Sequence, residues 1–67
     1  RRRAKLSEKL ETEISELENQ ISELEQNLCK PENMSDYELL ARLGAEREET
    51  EKRLAEAYDE WAKVQEA

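Results

Sequence analysis

The strongest constraint on this chain is a periodicity that stops and starts again. Leu10, Ile14, Leu17, Ile21, Leu24 and Leu28 recur at spacings of 4, 3, 4, 3 and 4. This is a heptad seam, with Ile14 and Ile21 at a positions and Leu10, Leu17 and Leu24 at d positions. The residues between them, such as "SE", "ENQ" and "EQN", are polar and free of Gly and Pro. The segment therefore predicts a helix with one narrow apolar stripe and a solvated remainder. Pro31 ends it, because a proline biases Lys30 away from helical dihedrals and removes a backbone donor. A second seam then runs through Leu40, Leu43, Arg47, Thr50, Leu54, Ala57, Trp61 and Val64, with spacings of 3, 4, 3, 4, 3, 4 and 3.

Two such helices across a short break predict an all-α fold, a two-helix antiparallel coiled-coil hairpin. The expected organisation is a basic linker end at residues 1–5, a helix over about 6–29, a turn over about 30–35 and a helix over about 36–66. Folding the seams about residues 35 and 36 sets Leu28 near Leu43, Leu17 near Leu54, Ile14 near Ala57 and Leu10 near Trp61. The same register places Leu24 beside Arg47 and Ile21 beside Thr50, a polar defect in mid-seam. Arg47 is expected to lay its methylenes over the seam and send its guanidinium to a carboxylate such as Glu25. Gly44, the single glycine, marks either a soft spot or a close approach. Trp61 is expected in the core.

The break itself, "LCKPENMSDYELL", gathers the only Cys, Met and Pro of the chain. It reads as a stop, a bend and a start. Ser35 stands three residues before Glu38, the spacing of a capping box, and Met34 with Leu39 has the spacing of a hydrophobic staple. Asn33 suits the bend. On the exposed face Glu38 with Arg42, Glu48 with Lys52, Glu49 with Arg53 and Asp59 with Lys63 all put the acid four residues before the base, the favourable order for helix pairs.

At 67 residues the chain is one domain at most. With 43% charged residues, no His and one Cys, it offers no buried cleft, no activated thiol and no second Cys for a shared metal. Glu32, Asn33, Asp36 and Glu38 lack the ligand order and turn glycine of a calcium loop. The fragment is expected to be neither an enzyme nor a cofactor-binding unit. No apolar run approaches 18 residues, so no membrane span is expected. Because it opens "RRRAK" rather than with Met, the chain is expected to be a piece of something longer.

The formal net charge is −7, yet the bases are uneven. Between Ser7 and Leu28 there are seven Glu and only Lys9, whereas Arg1, Arg2, Arg3 and Lys5 crowd the start. In the hairpin Lys63 returns to this open end. Cations at a helix N-terminus oppose the helix dipole, so they are a linker, a phosphate contact or the edge of a cut piece. Lys30 and Arg42 form a smaller positive feature at the tip. Nucleic-acid contact is thus expected, if anywhere, at Arg1, Arg2, Arg3, Lys5, Lys9, Lys63, Lys30 and Arg42.

Ile14, Leu17, Glu18, Ile21, Leu24 and Glu25 as repeated I-x-x-L-E units, Leu28, Pro31 and Glu32 at the break, and Tyr58, Trp61 and Val64 near the end make a recognisable set. Over nearly the whole chain this resembles the C-terminal coiled-coil domain of ABC-F ATPases, the soluble twin-cassette proteins that include translation factors. Val64 stands where the pattern has Leu, and Arg47 with Thr50 weakens the middle of the second seam. The resemblance implies a non-catalytic accessory domain that follows the second cassette through a basic linker. It also implies a cytoplasmic parent that binds ATP with Mg and works on ribosomes or nucleic acid. The competing expectation, from the structural class alone, is a coiled coil for self-association or protein docking, with Trp61, Tyr58 and Tyr37 as anchors. A monomer is expected for the fragment.

Overall fold

The computed structural model describes residues 2–66. Two helices, α1 (Arg2–Leu28) and α2 (Tyr37–Glu66), are joined by a short 3-10 turn, Pro31–Asn33. They pack along each other as the expected antiparallel hairpin. The molecule is a rod of 50 × 14 × 11 Å with a radius of gyration of 15.3 Å, against about 11 Å for a compact domain of this length. A rod this thin can bury only the seam between its helices.

That seam has the predicted register. Leu10, Ile14 and Leu17 of α1 and Leu43 and Ala57 of α2 are buried. Ile14, Leu17 and Ala57 form one cluster, against which Leu54 and Trp61 pack. Ala57 faces this cluster with only a methyl group, which lets α1 come close. Trp61 stays half-buried on the flank rather than inside.

The mid-seam defect is also present. Thr50 is buried, and its hydroxyl donates to the Glu46 carbonyl at 2.7 Å, so it satisfies itself within its own helix. Arg47 sends its guanidinium across the seam to Glu25 at 2.8 Å and along α2 to Glu51 at 3.3 Å. Of the four expected exposed pairs, Glu49–Arg53 at 3.6 Å and Asp59–Lys63 at 3.4 Å are closed, whereas Glu38–Arg42 and Glu48–Lys52 form no ion pair among the described residues.

Two boundaries differ from expectation. Helix α1 starts at Arg2, so Arg2, Arg3, Ala4 and Lys5 continue the helix instead of forming a linker end; Ala, Arg and Lys are good helix formers and nothing there breaks the ladder. The turn is also capped differently. Asp36, not Ser35, is the N-cap of α2: its Oδ1 accepts from the Leu39 N–H at 3.1 Å and its carbonyl from the Leu40 N–H at 3.0 Å. With the cap one residue later, Glu38 is no longer at the capping-box position and Met34 with Leu39 no longer has staple spacing. Met34 is accordingly half exposed.

Lys30 takes the extended conformation that Pro31 imposes, φ −68° and ψ 129°. Asn33 does more than bend: its Nδ2 donates to the Asn27 carbonyl at 2.8 Å and ties the turn to the orphan end of α1. Gly44 settles on the soft-spot reading, since a Cβ built there meets nothing within 4 Å.

Two outcomes follow for stability. Gly44→Ala should stabilise the hairpin by about 1 kcal/mol, seen as a thermal midpoint about 4–8 °C higher in circular dichroism. Leu17→Ala should cost about 2–5 kcal/mol, comparable to the total of about 3–5 kcal/mol available to a core this small. Its helical signal at 25 °C should therefore be largely lost.

Candidate functional site

The open end of the hairpin collects most of the predicted cations. Arg2, Lys5 and Lys9 lie three and four residues apart on α1, so they share one face, and with Leu6 they line one surface depression. Lys9 and Lys63 line a neighbouring depression with Leu6, Leu10 and Val64. The fold thus brings Lys63 of α2 back beside Lys9, as the antiparallel register requires. Arg3 lines a third depression with Arg2, Ser7 and Gln65. Arg1 lies outside the described residues.

Polar contacts hold this end together. Gln65 donates through Nε2 to Ser7 Oγ at 2.7 Å, closing the two termini on each other. Arg2, Lys5 and Lys9 make no ion pair among the described residues, while Lys63 pairs with Asp59 at 3.4 Å. Helix α1 has no acid in its first turn, whereas α2 has Glu38 in its first and Lys63 in its last. Only α2 therefore follows the charge order that the helix dipole favours.

Lys30 and Arg42 belong to a different place. Both are exposed at the tip, at the other end of the 50 Å rod, and neither is ion-paired among the described residues. Tyr37, only 21% covered at 79% exposure, and Met34 at 52% stand beside them. The eight predicted cations consequently do not make one surface. Asn33 and Asp36 spend their side chains on the backbone of the turn, and among the described residues no group of three His, Cys, Asp or Glu is placed to hold a metal ion.

Between the ends lies the contact that sequence reasoning missed. The Tyr58 hydroxyl donates to Glu18 Oε2 at 2.8 Å. Glu18 ends an I-x-x-L-E unit of α1, and Tyr58 begins the Y-x-x-W of α2. The two halves of the sequence pattern are therefore bonded to each other across the hairpin, with Trp61 one turn on, packed against Ile14, Leu17 and Ala57. Folding about residues 35 and 36 sets residue 18 opposite residue 53, more than a turn short of Tyr58, so the register alone does not reveal this bond, which depends on the reach of the two side chains.

A family model for the ABC transporter C-terminal domain matches residues 1–66. The chain belongs to this family. Comparison with curated proteins and with solved structures returned no match. A small, all-helical C-terminal domain is consistent with an accessory unit of an ABC protein, and the one glycine, Gly44, sits inside α2. None of the described helices is long and apolar enough to cross a membrane.

The bond across this C-terminal domain has a measurable consequence. The Tyr58 phenol is held above the ordinary tyrosine value by its hydrogen bond to Glu18, by partial loss of water and by the negative charge of that carboxylate. The folded state favours the neutral phenol, so what the bond contributes is complete below about pH 10, the unfolded value. It is lost as pH rises through the raised folded value. In a Tyr37→Phe variant, ultraviolet titration of the remaining phenol should show a midpoint above about 10, and Glu18→Gln should bring that midpoint down.

Proposed function

We propose that this hairpin is the C-terminal accessory domain of an ABC-F type ATPase, a cytoplasmic parent whose cassettes bind ATP with Mg. Its open end supplies contact with nucleic acid or the ribosome. One observation carries this reading: Arg2, Lys5, Lys9 and Lys63 converge on neighbouring surface of a chain whose net charge is −7. Three of the four are left without an acidic partner among the described residues.

The placement is costly for the helix. Cations in the first turn meet the positive end of the dipole, and they repel one another. A polyanion would relieve both penalties by placing phosphates against the exposed N–H groups and the side chains together. The acidic stalk behind them confines such contact to the end, so the hairpin adds a local, weak and salt-sensitive foothold to whatever the parent recognises. The reading requires no base-specific contact: A-form helices and ribosomal surfaces present phosphate and sugar to such a patch.

A second reading draws on the tip. Tyr37 and Met34 are exposed there, and an aromatic with a methionine is a common anchor for protein docking. Under it the hairpin is a coiled coil for self-association or for a protein partner.

Titration of labelled structured RNA and duplex DNA at two salt concentrations tests the first reading. Binding should weaken as salt rises, and Lys5→Glu with Lys9→Glu should lower the slope of log K against log salt by about 2. Absence of binding even at low salt, or a slope unmoved by the double variant, sinks an autonomous nucleic-acid role. Sedimentation at several concentrations addresses the second reading: a single monomeric mass throughout is the expected result, and a concentration-dependent mass would favour self-association.

A further inference from the structure

We infer that the hairpin is jointed at the level of Arg47 and Thr50. The tip segment beyond this level opens as a unit while the base stays closed, and the Arg47–Glu25 ion pair is the latch that holds the tip segment shut.

The two halves are built unequally. Toward the open end, Leu10, Ile14, Leu17 and Ala57 are buried, and Leu54 and Trp61 pack over them. Hydrogen bonds of Ser7 with Gln65 and of Glu18 with Tyr58 cross between the helices there. Toward the tip, among the described residues, Leu43 alone is buried, and Leu24, Leu28 and Leu40 are partly buried, as Leu54, Trp61 and Val64 are in the other half. Among the described residues one side-chain hydrogen bond crosses between the helices in this half, Arg47 to Glu25.

The boundary between the halves is polar for two successive seam positions. Thr50 contributes a buried hydroxyl that bonds only its own helix, and so gives α1 no polar contact. Arg47 has its Nε enclosed and without a partner, an arrangement that costs free energy wherever it is closed. Opening the tip segment would return that Nε to water. A surface depression lined by Gln20, Leu24, Asn27, Glu49 and Thr50 flanks the same level. Gly44 lies just beyond, inside α2 and with no close neighbour to explain it, and it lowers the helix propensity of the segment that is to open.

Since the stability of a structure is not uniform, contiguous units with few buried contacts open separately from the rest. Here such a unit is bounded by chemistry rather than by chain ends. Arg47 and Glu25 are both substantially exposed, at 41% and 50% of their side-chain surface, so the latch is one that salt weakens.

Native-state hydrogen exchange of the chain as it stands tests the joint. Amides of residues 24–28 and 42–47 should exchange with one common protection, about tenfold or more below that of residues 12–19 and 53–60. Glu25→Gln should lower the tip protection by about two- to fivefold, the range for an exposed pair, and leave the base unchanged. Added salt should act on the wild type in the same direction and have little further effect on the Gln variant. Arg47→Leu with Thr50→Val should bring the two halves to equal protection, measured at a concentration where sedimentation gives the wild-type mass. Equal protection in the wild type would overturn the joint. So would a smooth decline toward the tip, which is ordinary fraying, or a Glu25→Gln effect shared by both halves.

Discussion

Everything else in this molecule depends on the close approach of α1 and α2 at Ile14, Leu17 and Ala57. A helix of 27 or 30 residues with a single apolar stripe exposes that stripe whenever it stands alone, and helical stability in proteins comes chiefly from packing such a face. At Ala57 the facing side chain is only a methyl group, Ile14 and Leu17 are buried with it, and Leu54 and Trp61 pack against the cluster. The exposed i,i+4 pairs each add about 0.2–0.5 kcal/mol, small against the burial of even one leucine at about 1.5–3 kcal/mol. Once the seam is shut, these pairs decorate a structure that already exists.

Tyr58 and Trp61 have complementary parts in that closure. They lie three residues apart on α2 and so on adjoining sides of it. Trp61 covers the apolar cluster with its ring, at the expense of an enclosed Nε1–H that finds no partner. Tyr58 keeps its ring partly in water and reaches Glu18 with its hydroxyl. Apolar contact is tolerant of sliding along a seam, since one leucine fits another's hole. A directional bond between one phenol and one carboxylate is not, and with Ser7–Gln65 and Glu25–Arg47 it pins the register at three levels of the rod. The I-x-x-L-E and Y-x-x-W stretches of this chain thus have a physical meaning: Glu18 of one is bonded to Tyr58 of the other.

The helices, their register and the reach of Arg47 to Glu25 were legible in the sequence because each follows from periodicity, which is a property of many residues at once. The turn was legible only in outline. Ser35 and Asp36 are both good N-cap residues one position apart, and the choice rests on which of them the 3-10 turn Pro31–Asn33 delivers in the right conformation. That turn closes its own bonds, Met34 N–H to Pro31 and Asp36 N–H to Asn33, and so pushes the start of α2 one residue along. The start of α1 was misjudged for another reason. A cluster of cations at a helix N-terminus argues against helix on dipole grounds, but that penalty is at most about 1 kcal/mol at an exposed site, and the propensities of Arg, Ala and Lys outweigh it. Of the candidate site, the convergence of Lys63 on Lys9 was legible from the register. The separation of Lys30 and Arg42 from the rest was equally so, because a hairpin sends its turn and its termini to opposite ends.

Charge and stability are arranged differently in the two helices. In α2 the acid in the first turn and the base in the last both favour folding, and Glu49–Arg53 and Asp59–Lys63 run in the favourable direction. In α1 the first turn holds only cations and the last turn holds none, the reverse of what its dipole prefers. The same chain therefore uses charge to support one helix and to oppose the other. A sequence shaped for hairpin stability alone would exchange Arg2 and Lys5 for acids, since both are exposed and acids suit the start of a helix. The seam is satisfied along the middle of the rod, and the charge at the open end neither adds to that packing nor follows the helix dipole.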